Sequence, residues 1–313
     1  MEKYVFLEKI GRGTHGTVYL MQGENGNVVC KTITEKNTKY ALREINILTK
    51  LNCRRIIKLI EHFKHENTFY LILEHANHNS LENVINYHKK NNISMNEDNF
   101  YTKIIWNMFA QIADAIYYLH SKKIIHRDIK PSNILINQYF THEEVLEFKL
   151  CDFSLSTPFN GVSTNLVGTP FYMAPEILKK EQYDGCVDIW SLGVVLFEMV
   201  ALKRPFNGRT RKDLQSNVLK NTIEDLPNCE DSLLKNLILQ CLQKDQKDRI
   251  TSVELRKIDK IKYLLALAEI RTRDRRIIAL ENKLKENELS SSYLPSPNES
   301  TRKSENNENN LLQ

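Results

Sequence analysis

Between Tyr4 and about Glu74, apolar residues come in short β-branched or aromatic runs divided by Gly and Asn turns. The runs are Tyr4–Ile10, Val18–Met21, Val28–Thr32 and Phe69–Glu74. This pattern predicts strands. One stretch departs from it: from Tyr40 to Leu51 the apolar positions Leu42, Ile45, Leu48 and Leu51 recur every three residues with Glu44 beside them. That spacing predicts an amphipathic helix, so the first part of the chain reads as an antiparallel sheet with one helix.

After Ala76 the period changes. Leu81–Lys89, Phe100–Ser121, Val187–Leu202 and Asp231–Gln243 carry helical spacing, and only brief strands are expected near residues 134–151. A small sheet-rich part, about 4–74, thus precedes a larger helical part, about 77–260. Thr251-Ser252-Val253-Glu254 fits a capping box with Thr251 as N-cap, and neither Gly nor Pro follows until after Leu294. In a heptad frame Tyr263, Ile270, Ile277 and Leu284 take a positions and Ala266 and Leu280 take two d positions, while Arg273 and Asn287 fill the others. Residues 261–289 read as a helical extension with two outcomes open: a homodimeric coiled coil through 263–289, or a solvated or domain-packed helix. Residues 290–313, mostly Ser, Asn and Glu, have little to bury and are expected to be disordered.

Composition narrows the class. Of 313 residues, 41% are hydrophobic and 27% charged, which excludes a fibrous or wholly disordered chain. The net charge of +5 is a weak argument for a nucleic-acid partner, and Arg271, Arg273, Arg275 and Arg276 read as a solvated basic face. Nucleic acid is therefore not expected. The six cysteines are widely spaced with no C-x-x-C pair, which suggests reduced thiols and neither a zinc site nor a disulfide framework. No apolar leader follows Met1, and Glu2 stands where myristoylation needs Gly. The most apolar stretch, Leu192–Leu202, is interrupted by Glu198 and is too short to span a bilayer. The expectation is a cytoplasmic protein with no membrane partner, the nucleus and cytoskeleton remaining open.

Candidate chemistry begins at Gly11-Arg12-Gly13-Thr14-His15-Gly16-Thr17-Val18, a G-x-G-x-x-G-x-V loop between two expected strands. Glycines let backbone N–H groups approach phosphate oxygens without obstruction by Cβ. Because a strand follows the last Gly, a dinucleotide-binding βαβ unit is disfavoured. On the next strand stands Lys31, with Glu44 on the helix behind it. A Lys held by a carboxylate keeps its charge in a cleft and can contact phosphate.

The strongest signal is His126-Arg127-Asp128-Ile129-Lys130-Pro131-Ser132-Asn133, followed by Cys151-Asp152-Phe153-Ser154. Five fixed positions in H-R-D-x-K-x-x-N arise by chance at about one site in three million. From residue 4 to about 260 the chain resembles the eukaryotic protein kinases, Ser/Thr-specific branch. The resemblance implies an α+β, two-lobed kinase fold with a small antiparallel sheet lobe carrying one helix and a larger, mostly helical lobe. It also implies ATP-dependent phosphorylation of Ser/Thr hydroxyls on protein substrates, with Mg2+ as cofactor.

Carried over position by position, the resemblance makes Asp128 the acceptor of the substrate hydroxyl proton and Lys130 the residue that steadies the γ-phosphoryl group. Lys31 and Glu44 become the phosphate-contacting pair, and Asn133 and Asp152 the two metal ligands. Ile10, Gly11, Arg12, Gly13, Thr14, His15, Gly16, Thr17 and Val18 cover the nucleotide. Leu73 falls at the gatekeeper, with the backbones of Glu74 and Ala76 toward the adenine edge. Val18, Val29 and Leu135 sandwich the ring, Val29 standing where the family has Ala. Leu48, Leu59, His126 and Phe153 form a spine; Glu176 pairs with Arg249; Asp188 holds the catalytic-loop backbone; and Gly168–Glu176 resembles the substrate-docking segment.

Two departures stand out. Ser154 replaces the Gly that ends the metal motif, and Asn165 occupies the commoner phosphorylation position. Because Arg127 precedes Asp128, the resemblance implies a phosphate-dependent switch, for which Thr164, with Ser163 second, offers the hydroxyl; constitutive activity is the rival. Thr169 is expected instead to contact Asp128 and Lys130. Lys130 and Gly168-Thr169-Pro170 disfavour the tyrosine-specific branch. Within the Ser/Thr branch the short N-terminus, the docking segment and the helical extension resemble the NIMA-related group, with calcium/calmodulin-dependent-like and divergent unicellular kinases open. A pseudokinase scaffold is the rival from another class, and filled catalytic positions count against it.

Overall fold

The computed structural model describes residues 3–13, 15–91, 93, 99–140, 144–159, 168–221, 223, 226 and 229–292. The chain divides into two compact units, residues 1–267 and 268–313. The first unit opens with β1 (Val5–Arg12), β2 (Thr17–Gly23), β3 (Gly26–Thr34), α1 (Thr38–Leu48), β4 (Leu59–His65) and β5 (Thr68–Glu74). The strands form one antiparallel sheet in the order β1-β2-β3-β5-β4. β3 and β5 are central, and their alternate residues Ile33 and Leu71 are fully buried.

Helix α1 forms where expected but is turned relative to the apolar spacing. Ala41, Glu44, Ile45, Ile47 and Leu48 are buried, whereas Leu42 is 52% exposed and Leu51 lies beyond the helix end. Glu44 must face inward to meet Lys31 of β3, and this sets the helix phase against the plain hydrophobic count.

The helical part comprises α2 (Leu81–Asn91), α3 (Asn99–Ser121), β6 (Ile124–Ile125), β7 (Ile134–Phe140), β8 (Glu144–Leu150), β9 (Thr157–Pro158), α4 (Pro175–Lys179), α5 (Cys186–Ala201), α6 (Arg211–Lys220), α7 (Ser232–Cys241) and α8 (Ser252–Lys257). Buried on nearly every face, α5 is the core of this part: Trp190, Leu192, Val194, Val195 and Leu196 have no exposed surface. β7 and β8 form a hairpin, and β6 pairs with β9.

Thr251 caps α8 and Glu254 reaches back to the Thr251 N–H at 2.8 Å, the capping box expected from sequence. The following helix is not continuous with it. Ile258 is extended, and α9 starts afresh at Asp259 and runs to Ser292, past the end expected at Leu289. The break allows Leu255 and Ile261 both to be fully buried, although six residues apart on one helix they would point to different faces. Residues 293–313 lie outside the described residues.

Arg249 and Glu176 join α4 to the turn before α8 in a buried fork, Nη1 to Oε1 at 2.6 Å and Nη2 to Oε2 at 3.0 Å. Both are at most 3% exposed. Arg249→Ala would strand a carboxylate in the core, so urea unfolding should register a loss of about 3–5 kcal/mol. Arg249→Lys, which cannot make the fork, should recover less than half of it. A loss below about 1 kcal/mol would contradict this reading.

Candidate active site

The glycine-rich loop turns between β1 and β2, and Gly13 N–H donates to Gly16 O at 2.8 Å. Gly16 is required by packing: a Cβ there would lie 2.3 Å from Thr32 O. His15 curls back onto α1, its ring 3.9 Å from that of Tyr40 and its Nδ1 3.3 Å from Ser154 Oγ. Burial lowers the His15 pKa, which favours a neutral ring. Thr14 lies outside the described residues.

Under the loop, Lys31 is buried, not a surface strand residue. Its Nζ lies 2.7 Å from Glu44 Oε2 and 2.9 Å from Asp152 Oδ1. Burial opposes the ammonium charge, but the two carboxylates outweigh it and hold Lys31 above its ordinary value. Burial also pushes the Glu44 carboxyl up, with Lys31 opposing. For Asp152, burial is overcome by Lys31 and by the Ser154 side chain, and the carboxyl sits below the usual range. One ammonium thus ties sheet, helix and metal motif together.

The catalytic-loop residues are gathered as the motif implies. Asn133 Nδ2 donates to Asp128 O at 2.8 Å and to Asp128 Oδ2 at 3.0 Å. Lys130 Nζ lies 2.8 Å from Asp128 Oδ2 and donates to Thr169 Oγ1 at 2.9 Å. Thr169 donates to Asp128 Oδ1 through both its N–H and its hydroxyl, at 3.1 and 2.8 Å. Thr169 is therefore a strut between the docking segment and Asp128, as expected. Gly168 permits the approach: its φ is +111°, and a Cβ would meet Arg127 O at 2.7 Å.

Asp188 of α5, fully buried, holds the loop from below. Its Oδ1 accepts the Arg127 N–H and its Oδ2 the His126 N–H, both at 2.9 Å. His120 Nε2 approaches Oδ2 at 3.0 Å, while its Nδ1 meets Ser252 Oγ at 3.1 Å. Burial alone would raise the Asp188 pKa; the His120 hydrogen bond, the nearby imidazoles and the Arg127 N–H hold it low. Burial keeps His126 neutral, so its Nε2 donates to Cys151 O at 3.1 Å and its Nδ1 faces the Asp128 N–H at 3.3 Å. Phe153 packs edge-on against His126 at 4.8 Å; Phe153 and Leu48 are buried in the hydrophobic core, and Leu59 is partly buried against it. Positive φ at Arg127 (70°) and Asp152 (63°) marks backbone held in an unusual conformation at both motifs. Ser154 does not have positive φ, so the side chain replacing Gly is accommodated without strain there.

At the cleft wall, Val29 pairs with Leu73 across β3 and β5, and Leu73 is buried. Glu74 accepts the Lys58 N–H at 2.8 Å and the Lys149 ammonium at 3.0 Å, fixing the strand end. Leu135 bridges to Ser80, Ile10 is 47% exposed, and Ala76 makes no hydrogen bond among the described residues. Ser163 and Thr164, the expected phosphorylation sites, lie outside the described residues. Arg127 donates to Leu155 O at 2.7 Å and to Tyr183 OH at 3.3 Å.

The donor set fits a phosphate-bound magnesium. Asn133 spends its amide N–H groups on Asp128, leaving Oδ1 without a hydrogen bond, and Asp152 Oδ2 is likewise unused among the described residues. No cluster of three His, Cys, Asp or Glu side chains able to hold a metal occurs among the described residues. Two protein oxygens with phosphate and water completing the shell is the usual magnesium arrangement. Contacts of His120, Arg43 (to Ser154 O at 3.4 Å) and the His15–Ser154 pair were not legible in sequence, because each partner lies more than 60 residues away.

A model of the protein kinase domain matches residues 4–262. The chain is 30% identical over 264 residues to the probable serine/threonine-protein kinase nek3 of Dictyostelium discoideum, covering 80% of this chain and 22% of that protein. It is 34% identical over 233 residues to the serine/threonine-protein kinase nekl-2 of Caenorhabditis elegans, covering 71% and 63%. It is 34% identical over 255 residues to the serine/threonine-protein kinase Sgk1-A of Xenopus laevis, covering 79% and 56%. The chain thus spans less than two thirds of the length of these relatives.

Because its pKa is lower folded than unfolded, Asp152 contributes stability that is complete above its unfolded value, about 3.9, and lost as the pH falls below it. Protonated Asp resembles Asn. The stability gap between wild type and Asp152→Asn in urea should therefore be constant above about pH 5 and shrink below about pH 4. A gap unchanged down to about pH 3 would contradict the assignment.

Proposed function

The chain belongs to the protein kinase family, and we propose that it is an ATP-dependent Ser/Thr kinase acting on protein hydroxyls. The observation that carries this reading is the ordering of Asp128 by Asn133, Lys130 and Thr169, which leaves a carboxylate aimed from a rigid loop beside the docking segment. In the proposed reaction the acceptor hydroxyl loses its proton to Asp128 while its oxygen bonds to the γ-phosphorus. The bond from that phosphorus to the β,γ-bridging oxygen breaks, and ADP leaves. Lys31 would contact the nucleotide phosphates and Lys130 the transferring group. Ile10, Gly11–Val18, Val29, Leu73, Glu74, Ala76 and Leu135 would enclose the nucleotide. Asn133 and Asp152 would hold magnesium, which when bound offsets phosphate charge. Filled catalytic positions favour this over a pseudokinase scaffold.

The six cysteines are free thiols, and among the described residues no helix is long and apolar enough to cross a membrane. Both support action in the cytoplasm, nucleus or cytoskeleton, where ATP is supplied. Regulation is proposed to run through a phosphate on Thr164 or Ser163 that pairs with Arg127; comparing rates before and after phosphatase treatment separates this from constitutive activity. Assembly is proposed to run through α9. Tyr263, Ile270, Ile277, Leu280 and Leu284 are each more than half exposed, and in a parallel pair Arg276 would face Glu281.

With γ-labelled ATP and a protein acceptor, wild type should transfer label and Asp128→Asn should lose transfer by at least about a thousandfold while binding ATP nearly as well. Lys31→Met should lower both turnover and affinity. Near-normal turnover of Asp128→Asn would overturn the assignment. In light scattering, Ile277→Asp should convert a dimer to monomer; a monomeric wild type at micromolar concentration would refute the pairing.

A further inference from the structure

The docking segment that Thr169 ties to Asp128 is anchored two and three residues later to charges the chemistry does not use. Tyr172 OH donates to Glu198 Oε2 at 2.6 Å, and Lys89 Nζ reaches Glu198 Oε1 at 2.7 Å. Arg204 Nε lies 3.6 Å from that same oxygen, and its guanidinium stacks 4.2 Å from the Phe171 ring. Glu198 is 3% exposed, whereas the Lys89 and Arg204 side chains are 34% and 33% exposed. Burial and Glu198 push the Tyr172 phenol up, so it adds no negative charge. One buried carboxylate therefore serves two cations that emerge at the surface, and Arg204 Nε is buried without a hydrogen bond.

The chain then continues the same sign. From Lys203 to Asp213 it carries Lys203, Arg204, Arg209, Arg211 and Lys212 against a single carboxylate, and Asp213 is engaged by the Thr210 N–H at 3.0 Å in the cap of α6. Lys203, Arg209, Arg211 and Lys212 are exposed and form no ion pair among the described residues, and Lys90, next to Lys89, is exposed too. The overall charge is only +5, so this is a local concentration of positive charge. It adjoins the segment on which an acceptor must lie to present its hydroxyl to Asp128. A clustered field of this kind raises the local concentration of anionic partners and falls with salt.

We propose that Lys89, Arg204 and the basic run Lys203–Lys212 select protein substrates with acidic side chains flanking the acceptor hydroxyl. This rests on the kinase reading above. An acidic polypeptide is favoured over a nucleic acid because two of the cations, Arg204 and Lys89, are built into the docking segment through Phe171, Tyr172 and Glu198 and do not lie on a separate face.

Three peptides with one Ser acceptor flanked by Glu, Gln or Lys separate the outcomes, with kcat/KM measured on the full chain at low and high salt. The Glu peptide should exceed the Gln peptide about five- to tenfold, mainly through KM, as two partly exposed ion pairs allow. High salt should shrink that ratio. In Lys89→Gln/Arg204→Gln, and separately in Arg209→Glu/Arg211→Glu at exposed positions, the ratio should fall toward one; taken within each variant, it is unaffected by a general loss of activity. Preference for the Lys peptide, or a ratio unchanged in both variants, would overturn the proposal. So would duplex DNA that binds this surface with steep salt dependence while the Glu and Gln peptides are phosphorylated equally well. Fluorescence anisotropy of the labelled Glu peptide keeps the two readings apart. Arg-dependent binding without transfer to any peptide would defeat the kinase reading and leave this surface standing. Transfer without acidic preference would defeat this surface alone.

Discussion

The catalytic loop depends on the buried Asp188 carboxylate. It accepts two consecutive backbone N–H groups and faces a third nitrogen, from His120, and it has no exposed surface. Those contacts hold Arg127 at positive φ, which a non-glycine residue does not adopt unless its surroundings impose it. Once Arg127 and His126 are fixed, Asp128 points at Thr169 and Asn133, and Phe153 finds the His126 ring. Turning the carboxylate aside would leave buried donors unpaired, at a cost of about 1–3 kcal/mol for each. The geometry of the reacting groups is thus set by a residue that touches none of them.

A second constraint joins the sheet to this loop. Lys31 is shared between Glu44 and Asp152, so the phase of α1, the position of β3 and the backbone of the metal motif are mutually determined. Leu42 is the visible consequence, an apolar residue left outside because Glu44 has to be inside. His15 and Ser154 add a contact of the same kind at the loop tip. Positioning and charge, with little covalent work by the protein, are what phosphoryl transfer requires.

How much of this could be read beforehand follows from range. The strands around the glycine loop, the long helices and the capping box at Thr251 are local and were legible, as was the catalytic motif, whose spacing carries its own geometry. β4 was not: Leu59–His65 is an edge strand that alternates Ile60, exposed, with charged and His residues, so its apolar signal is thin. α6 has only Leu214 and Val218 buried, and its one local signal is the cap, Thr210 with Asp213 three residues on. The helix break at Ile258 obeys no local breaker; it is imposed by burying Leu255 and Ile261 together. The union of Lys89 with Glu198 spans 109 residues and belongs to tertiary structure alone.

Asp188 positions the chemistry without binding the nucleotide, and Asp188→Asn tests this directly because it keeps the shape and removes the charge. In a variant that retains the wild-type near-ultraviolet circular dichroism, turnover should fall at least about tenfold, one unpaired buried donor's worth, while ATP affinity stays within about twofold. Turnover unchanged, or affinity falling in step with turnover, would contradict this role for Asp188.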